Sequence, residues 1–170
     1  MASKARLVEA SASSSAGEPD ARHALGRRGE ELAAKFLIAR GFAIVERNWR
    51  PSAHEASGGG ARLKVRGELD IVAWDGVPHQ GGTLCFVEVK ARASGEWGTP
   101  GQAVDATKQR QIVRLAEAYL ALNAEREPGL WEVACRFDVI EVWLAEGETP
   151  RIALHQAAFD ASTGTRRNRF

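Results

Sequence analysis

The segment Thr83-Leu84-Cys85-Phe86-Val87-Glu88-Val89-Lys90-Ala91-Arg92 constrains the fold of this chain more than any other. Through Val89 it is strongly apolar, which reads as a strand from the middle of a sheet with other elements covering it. Side chains two apart on a strand point the same way, so Glu88 and Lys90 share one face while Val87 and Val89 take the other. Charges at such a place cost free energy unless they are paired or bound to a metal.

A second strand pattern surrounds Gly67-Glu68-Leu69-Asp70-Ile71-Val72. By the same parity Glu68 and Asp70 share a face, with Leu69 and Ile71 opposite. If the two strands are hydrogen-bonded neighbours, Asp70, Glu88 and Lys90 converge on a space that fits one hydrated cation. Phosphodiester hydrolysis needs a nucleophilic water, a neutraliser for the charge developing on the phosphoryl oxygens, and help for the leaving group. Magnesium prefers oxygen ligands and keeps several waters, so two carboxylates suffice to hold Mg2+ or Mn2+. Asp70 and Glu88 are the expected ligands, and Lys90 the group that orients water or stabilises the transition state. The competing reading is a solvated strand face, since Glu-x-Lys also occurs by chance.

The other elements follow from periodicity and punctuation. A helix starts at Leu25, placing Leu25, Gly29, Leu32, Ala33, Phe36 and Leu37 on one side, and Gly41 stops it. Phe42–Trp49 is a first strand, residues 51–60 a loop insertion, and Arg62–Trp74 the second strand. After Thr83–Arg92, a second helix spans Gln102–Asn123 with Val104, Lys108, Gln111, Ile112, Leu115, Tyr119 and Leu122 facing inward. Cys135–Trp143 is a fourth strand, and a short strand or turn lies at Arg151–Leu154. The order αβββαβ predicts an α/β (α+β) mixed sheet with helices on its faces.

Further charged residues attach to this frame. Glu30 borders the apolar stripe of the first helix and can look toward the carboxylates as a third acidic ligand, directly or through water, or else merely edges the core. Glu31 instead faces away, four residues before Lys35, as an exposed ion pair. Lys108 either reaches the site or a phosphate, or snorkels to solvent. Arg66, Arg92 and Arg50 are candidates for a basic rim that tracks phosphates. Arg136 and Asp138 pair as a structural support.

With 170 residues, one domain is expected, residues 21–160, with a flexible Ser/Ala-rich tail at 1–20 and a basic tail at 161–170. The formal net charge is only +1, so any nucleic-acid footprint must come from local placement. Cys85 and Cys135 read as reduced core thiols, and the four histidines show no zinc spacing. No apolar run is long enough for a transmembrane helix and no signal peptide core is present, so the expected location is the cytoplasm.

Gly26-x-x-Gly29-Glu30, Gly67-Glu68-Leu69-Asp70, Phe86-Val87-Glu88-Val89-Lys90-x-Arg92, Lys108 and Arg136-Phe137-Asp138-Val139 together resemble the YraN family of small bacterial proteins. That family looks like the restriction-endonuclease-like PD-(D/E)xK superfamily, especially archaeal Holliday-junction resolvases. The resemblance covers about residues 22–145. It implies a nuclease-like mixed sheet, with Asp70, Glu88 and Lys90 at the signature positions and Glu30 as the acid of the first helix. Leu69 stands where the usual signature has proline. The implied activity is a Mg2+-dependent endonuclease acting on DNA, including branched DNA, and resolvases work as symmetric homodimers. The alternative is a nucleic-acid-binding or accessory module that does not cut. An interaction scaffold without a nucleic-acid role is a third, weaker reading.

Overall fold

A computed structural model describes residues 18–51, 65–93 and 104–164. Helix α1 runs Glu18–Ala39, strand β1 Ala43–Trp49, β2 Leu69–Asp75, β3 Thr83–Arg92, α2 Ala106–Asn123, β4 Ala134–Trp143 and β5 Arg151–Phe159. The five strands form one mixed sheet in the order β1-β2-β3-β4-β5. All neighbours are antiparallel except β3 and β4, which run parallel through the α2 crossover. A parallel pair cannot be closed by a tight hairpin, so the long connection through α2 is what the pairing demands.

Each face of the sheet carries a helix and its own apolar cluster. Ala33 and Leu37 of α1 pack with Ile71, Ala73, Cys85, Val87, Ile140 and Val142. On the other face Ile112, Leu115 and Tyr119 of α2 pack with Val72, Trp74, Leu84, Phe86 and Val139. The alternation along β3 is therefore the expected one, with both faces covered. Helix α1 lies especially close to β3, because a Cβ at Gly29 would stand 2.5 Å from the Cβ of Ala91. Only glycine permits that separation without a shift.

Several boundaries differ from the sequence pattern. Helix α1 begins at Glu18, well before the first apolar repeat at Leu25, and residues 20–24 are exposed and carry no stripe to read. The strand expected from Arg62 begins at Leu69. Gly67 has φ +126°, which turns the chain just before it, and residues 62–64 of the expected strand lie outside the described set, as do residues 52–60 of the expected loop and residues 1–17 and 165–170 of the expected tails. Helix α2 starts at Ala106, where Asp105 accepts hydrogen bonds from the backbone N–H groups of Thr107 and Lys108 and so caps it. Strand β5 is a full strand to Phe159, not a short turn. Cys85 is buried as expected, whereas Cys135 is exposed near the start of β4.

Candidate active site

The ladder between β2 and β3 ends at Ile71 and Val87. Beyond it the two strands part, and the next residues outward are Asp70 and Glu88. The Asp70 side chain takes over the role of the missing backbone acceptor: its Oδ2 accepts a hydrogen bond from the Val89 N–H at 2.8 Å. Asp70 is thereby tied to the residue between Glu88 and Lys90, and the sheet's own divergence opens the space where the carboxylates meet.

Glu88 is only 4% exposed, yet it carries two cations. Lys90 Nζ lies 2.8 Å from its Oε1, and Lys108 Nζ lies 3.1 Å from its Oε2. Lys90 comes from the same strand face. Lys108 comes down from the first turn of α2, whose start is set by the Asp105 cap. Of its two sequence-level alternatives, reaching the site is the one realised.

Asp70 is 9% exposed and its carboxyl is pushed up from 3.8 to about 7. Burial is the main cause, and repulsion by the Glu88 carboxylate is the second. The Val89 N–H and the charge of Lys108 pull the other way, and Glu30 adds a further upward push. Glu30, half-buried on α1, is thus near enough for its charge to reach Asp70. Among the described residues, however, no three His, Cys, Asp or Glu side chains form a cluster that could hold a metal ion. The acids brought together are Asp70 and Glu88, with Glu30 at the border. Their oxygens suit a hard divalent cation that keeps several of its waters.

The arginines expected at a basic rim fall into separate roles. Arg50 pairs with Glu68 through its Nε at 2.8 Å, which fastens the end of β1 to the residue before β2. Glu68 therefore serves this clamp. Arg66 is exposed, and its backbone carbonyl accepts from Gln111 Nε2 at 2.7 Å, fixing the entry into β2 against α2. Arg92 lies 3.5 Å from Glu141, which is 1% exposed on β4 and also pairs with His155 at 3.0 Å. Sequence reading passed over Glu141 and His155. Glu141 sits in the register opposite Lys90, and its place among apolar β4 residues was the available signal.

Arg136 and Asp138 do form the expected ion pair, at 2.8 Å, with Asp75 joining at 2.9 Å. The pair is not beside Glu88. Asp138 is opposite Val87 in the ladder and lies on the α1 side with Cys85, so it supports the far face of the sheet. Its Oδ1 also accepts from the N–H of Ala157, whose φ is +50°, and this pins β5 to β4 at their bulge.

Two helices on a mixed sheet, with paired carboxylates and lysines where two central strands diverge, define an α+β protein of nuclease-like architecture. The sequence comparisons place it further. The model of the uncharacterised protein family UPF0102 matches residues 29–142. A UPF0102 protein of Symbiobacterium thermophilum is 43% identical over 138 residues, covering 81% of this chain and 97% of the relative. Another from Anaeromyxobacter dehalogenans is 42% identical over 144 residues, covering 85% and 90%. One from Koribacter versatilis is 40% identical, covering 84% and 85%. The chain belongs to the UPF0102 family, the YraN family of the sequence resemblance.

Proposed function

We propose that this chain is a Mg2+- or Mn2+-dependent endonuclease that hydrolyses phosphodiester bonds in DNA, branched DNA included. The observation that carries the reading is the convergence of Asp70 and Glu88 with Lys90 and Lys108 at the parting of β2 and β3. Asp70 and Glu88 would hold the cation, with Glu30 contributing through water. The bound ion would supply charge neutralisation at the phosphoryl oxygens and a more acidic water. Lys90 orients the attacking water or faces the charge that develops on the phosphate. Lys108, on a different element, approaches Glu88 from the opposite oxygen and is the second cation available to the phosphate. Arg66 and Arg92 stand further out as phosphate contacts. A four-way junction offers two related strands, so cutting it symmetrically would take a homodimer.

The test is incubation of the purified protein with labelled duplex, single-stranded and four-way-junction DNA, with Mg2+, Mn2+ or EDTA. Metal-dependent cleavage by the wild type, abolished in Asp70→Asn and Glu88→Ala, is the expected result. Cleavage that survives both substitutions rejects the assignment.

One observation favours a second reading, a nucleic-acid-binding or accessory module that does not cut. Glu88 is already matched by two ammonium groups, so its charge is balanced without a metal. That reading predicts salt-sensitive DNA binding, no turnover with any metal, and unchanged binding in Glu88→Gln.

A further inference from the structure

Two glycines lie one turn apart on α1, and only one of them has a structural reason to be there. Gly29 is required by the approach of Ala91. Among the described residues, a Cβ added at Gly26 would meet nothing within 4 Å, and Gly26 has no positive φ. Glycine inside a helix costs stability relative to alanine through the backbone freedom it loses. The fold thus bears a cost at Gly26 and gains no packing from it.

Gly26 lines a groove of about 400 Å3 between α1 and the ends of β1 and β2. Arg22, Arg27 and Arg50 stand along it, with Glu30 and Glu68 among its other lining residues. The lining includes Glu68, two residues before Asp70 in the chain, and Glu30, whose charge is felt at Asp70. A lining that lacks a side chain at Gly26 and includes three guanidinium groups suits a ligand whose anionic backbone must come close to the helix. Among the described residues, no packing contact explains the lack of a Cβ at Gly26.

We propose that this groove is the track for the sugar–phosphate backbone of the DNA strand that flanks the scissile phosphate, with Gly26 as its floor and Arg22, Arg27 and Arg50 as its phosphate contacts. The proposal rests on the nucleic-acid reading above and adds where the strand lies. Arg50 is shared with Glu68, and an incoming phosphate competes for it.

The experiment measures binding of fluorescein-labelled single-stranded and junction DNA by anisotropy, in EDTA and in Ca2+, beside the melting temperature of each variant. Gly26→Leu is the decisive variant, because leucine favours helix and its side chain occupies the groove. Its melting temperature is expected to equal or exceed that of the wild type while affinity falls at least tenfold. Arg22→Ala/Arg27→Ala is expected to lower the dependence of log K on log salt by about 1.5 to 2. Arg126→Ala, at an exposed arginine in the turn after α2, serves as the control for loss of one surface charge and is expected to change affinity less than threefold. Wild-type binding with an equally tight, well-folded Gly26→Leu overturns the track and leaves the nuclease reading standing. A wild type that binds no DNA in either condition overturns both. Should Gly26→Leu fold poorly, Gly26→Ala with the double arginine variant decides, since unchanged affinity and salt slope in these reject the track.

Discussion

Asp70 on β2 is hydrogen-bonded through Oδ2 to the backbone N–H of Val89 on β3, at 2.8 Å. This bond locks the acid of one strand to the residue between Glu88 and Lys90 on the next. The relative placement of the three charged groups is therefore set by the backbone of β3 and not by flexible side chains alone.

The raised Asp70 carboxyl makes stability depend on pH in a definite direction. Its folded value is about 7 against 3.8 for the free group, so the folded state holds the proton more tightly than the unfolded state. That advantage is complete below about 4 and is lost as pH rises through about 7. In EDTA, Asp70→Asn is expected to gain stability relative to wild type at pH 8 compared with pH 4, by on the order of 4 kcal/mol at most. Urea melts at the two pH values check this, and an equal difference at both would contradict the burial.

Removing the charge of Glu88 relieves the second-largest cause of the Asp70 shift. In Glu88→Gln the Asp70 carboxyl is expected to titrate at lower pH than in the wild type. Carbon-13 NMR of the aspartate carboxyls, assigned through Asp70→Asn, reads the change directly. A titration that moves upward instead would mean that the two acids do not face one another.

Glu141 is buried between Arg92 and His155, so truncating it strands two polar groups without their carboxylate. Glu141→Ala is expected to cost about 2 kcal/mol in chemical denaturation, in the range for losing a hydrogen bond to a charged group, because His155 loses its carboxylate while Arg92 keeps access to solvent. A loss under 1 kcal/mol would show that solvent satisfies Arg92 and His155 in its place.

Gly29→Ala forces a Cβ against Ala91, and overpacking of this kind costs about 2 kcal/mol. The same substitution at Gly26 meets open space and is expected to raise the melting temperature. Thermal melts of the two variants side by side test the contrast, and equal effects would remove it.

The thiols should separate by reactivity. Burial pushes Cys85 up to about 12, while Cys135 is exposed, although its thiol is also raised. Under native conditions one thiol per chain is expected to react with a disulfide reagent, and the second only after unfolding. Two rapid reactions would contradict the packing of β3.

The periodicity of Thr83–Arg92 was enough to identify a covered central strand, because burial of a strand on both faces leaves its mark in consecutive apolar residues. The same parity placed Glu88 and Lys90 together, since the side-chain period of a strand is fixed by the backbone. Sequence also located Ile112, Leu115 and Tyr119 on the buried side of α2. It missed the opening turns of α1 because an exposed helix stretch carries no apolar stripe, and it carried β2 back through residues 65–68 because charged residues there alternate as those of a strand do. Only the folded sheet decided that β2 lies beside β3 and parts from it at Asp70. It also decided that Lys108 reaches Glu88, that Glu141 meets Arg92 and His155, and that Arg136 and Asp138 serve the opposite face. Local pattern records which face a residue takes, but pairing, crossover and the approach of a distant helix are long-range events with no period to read.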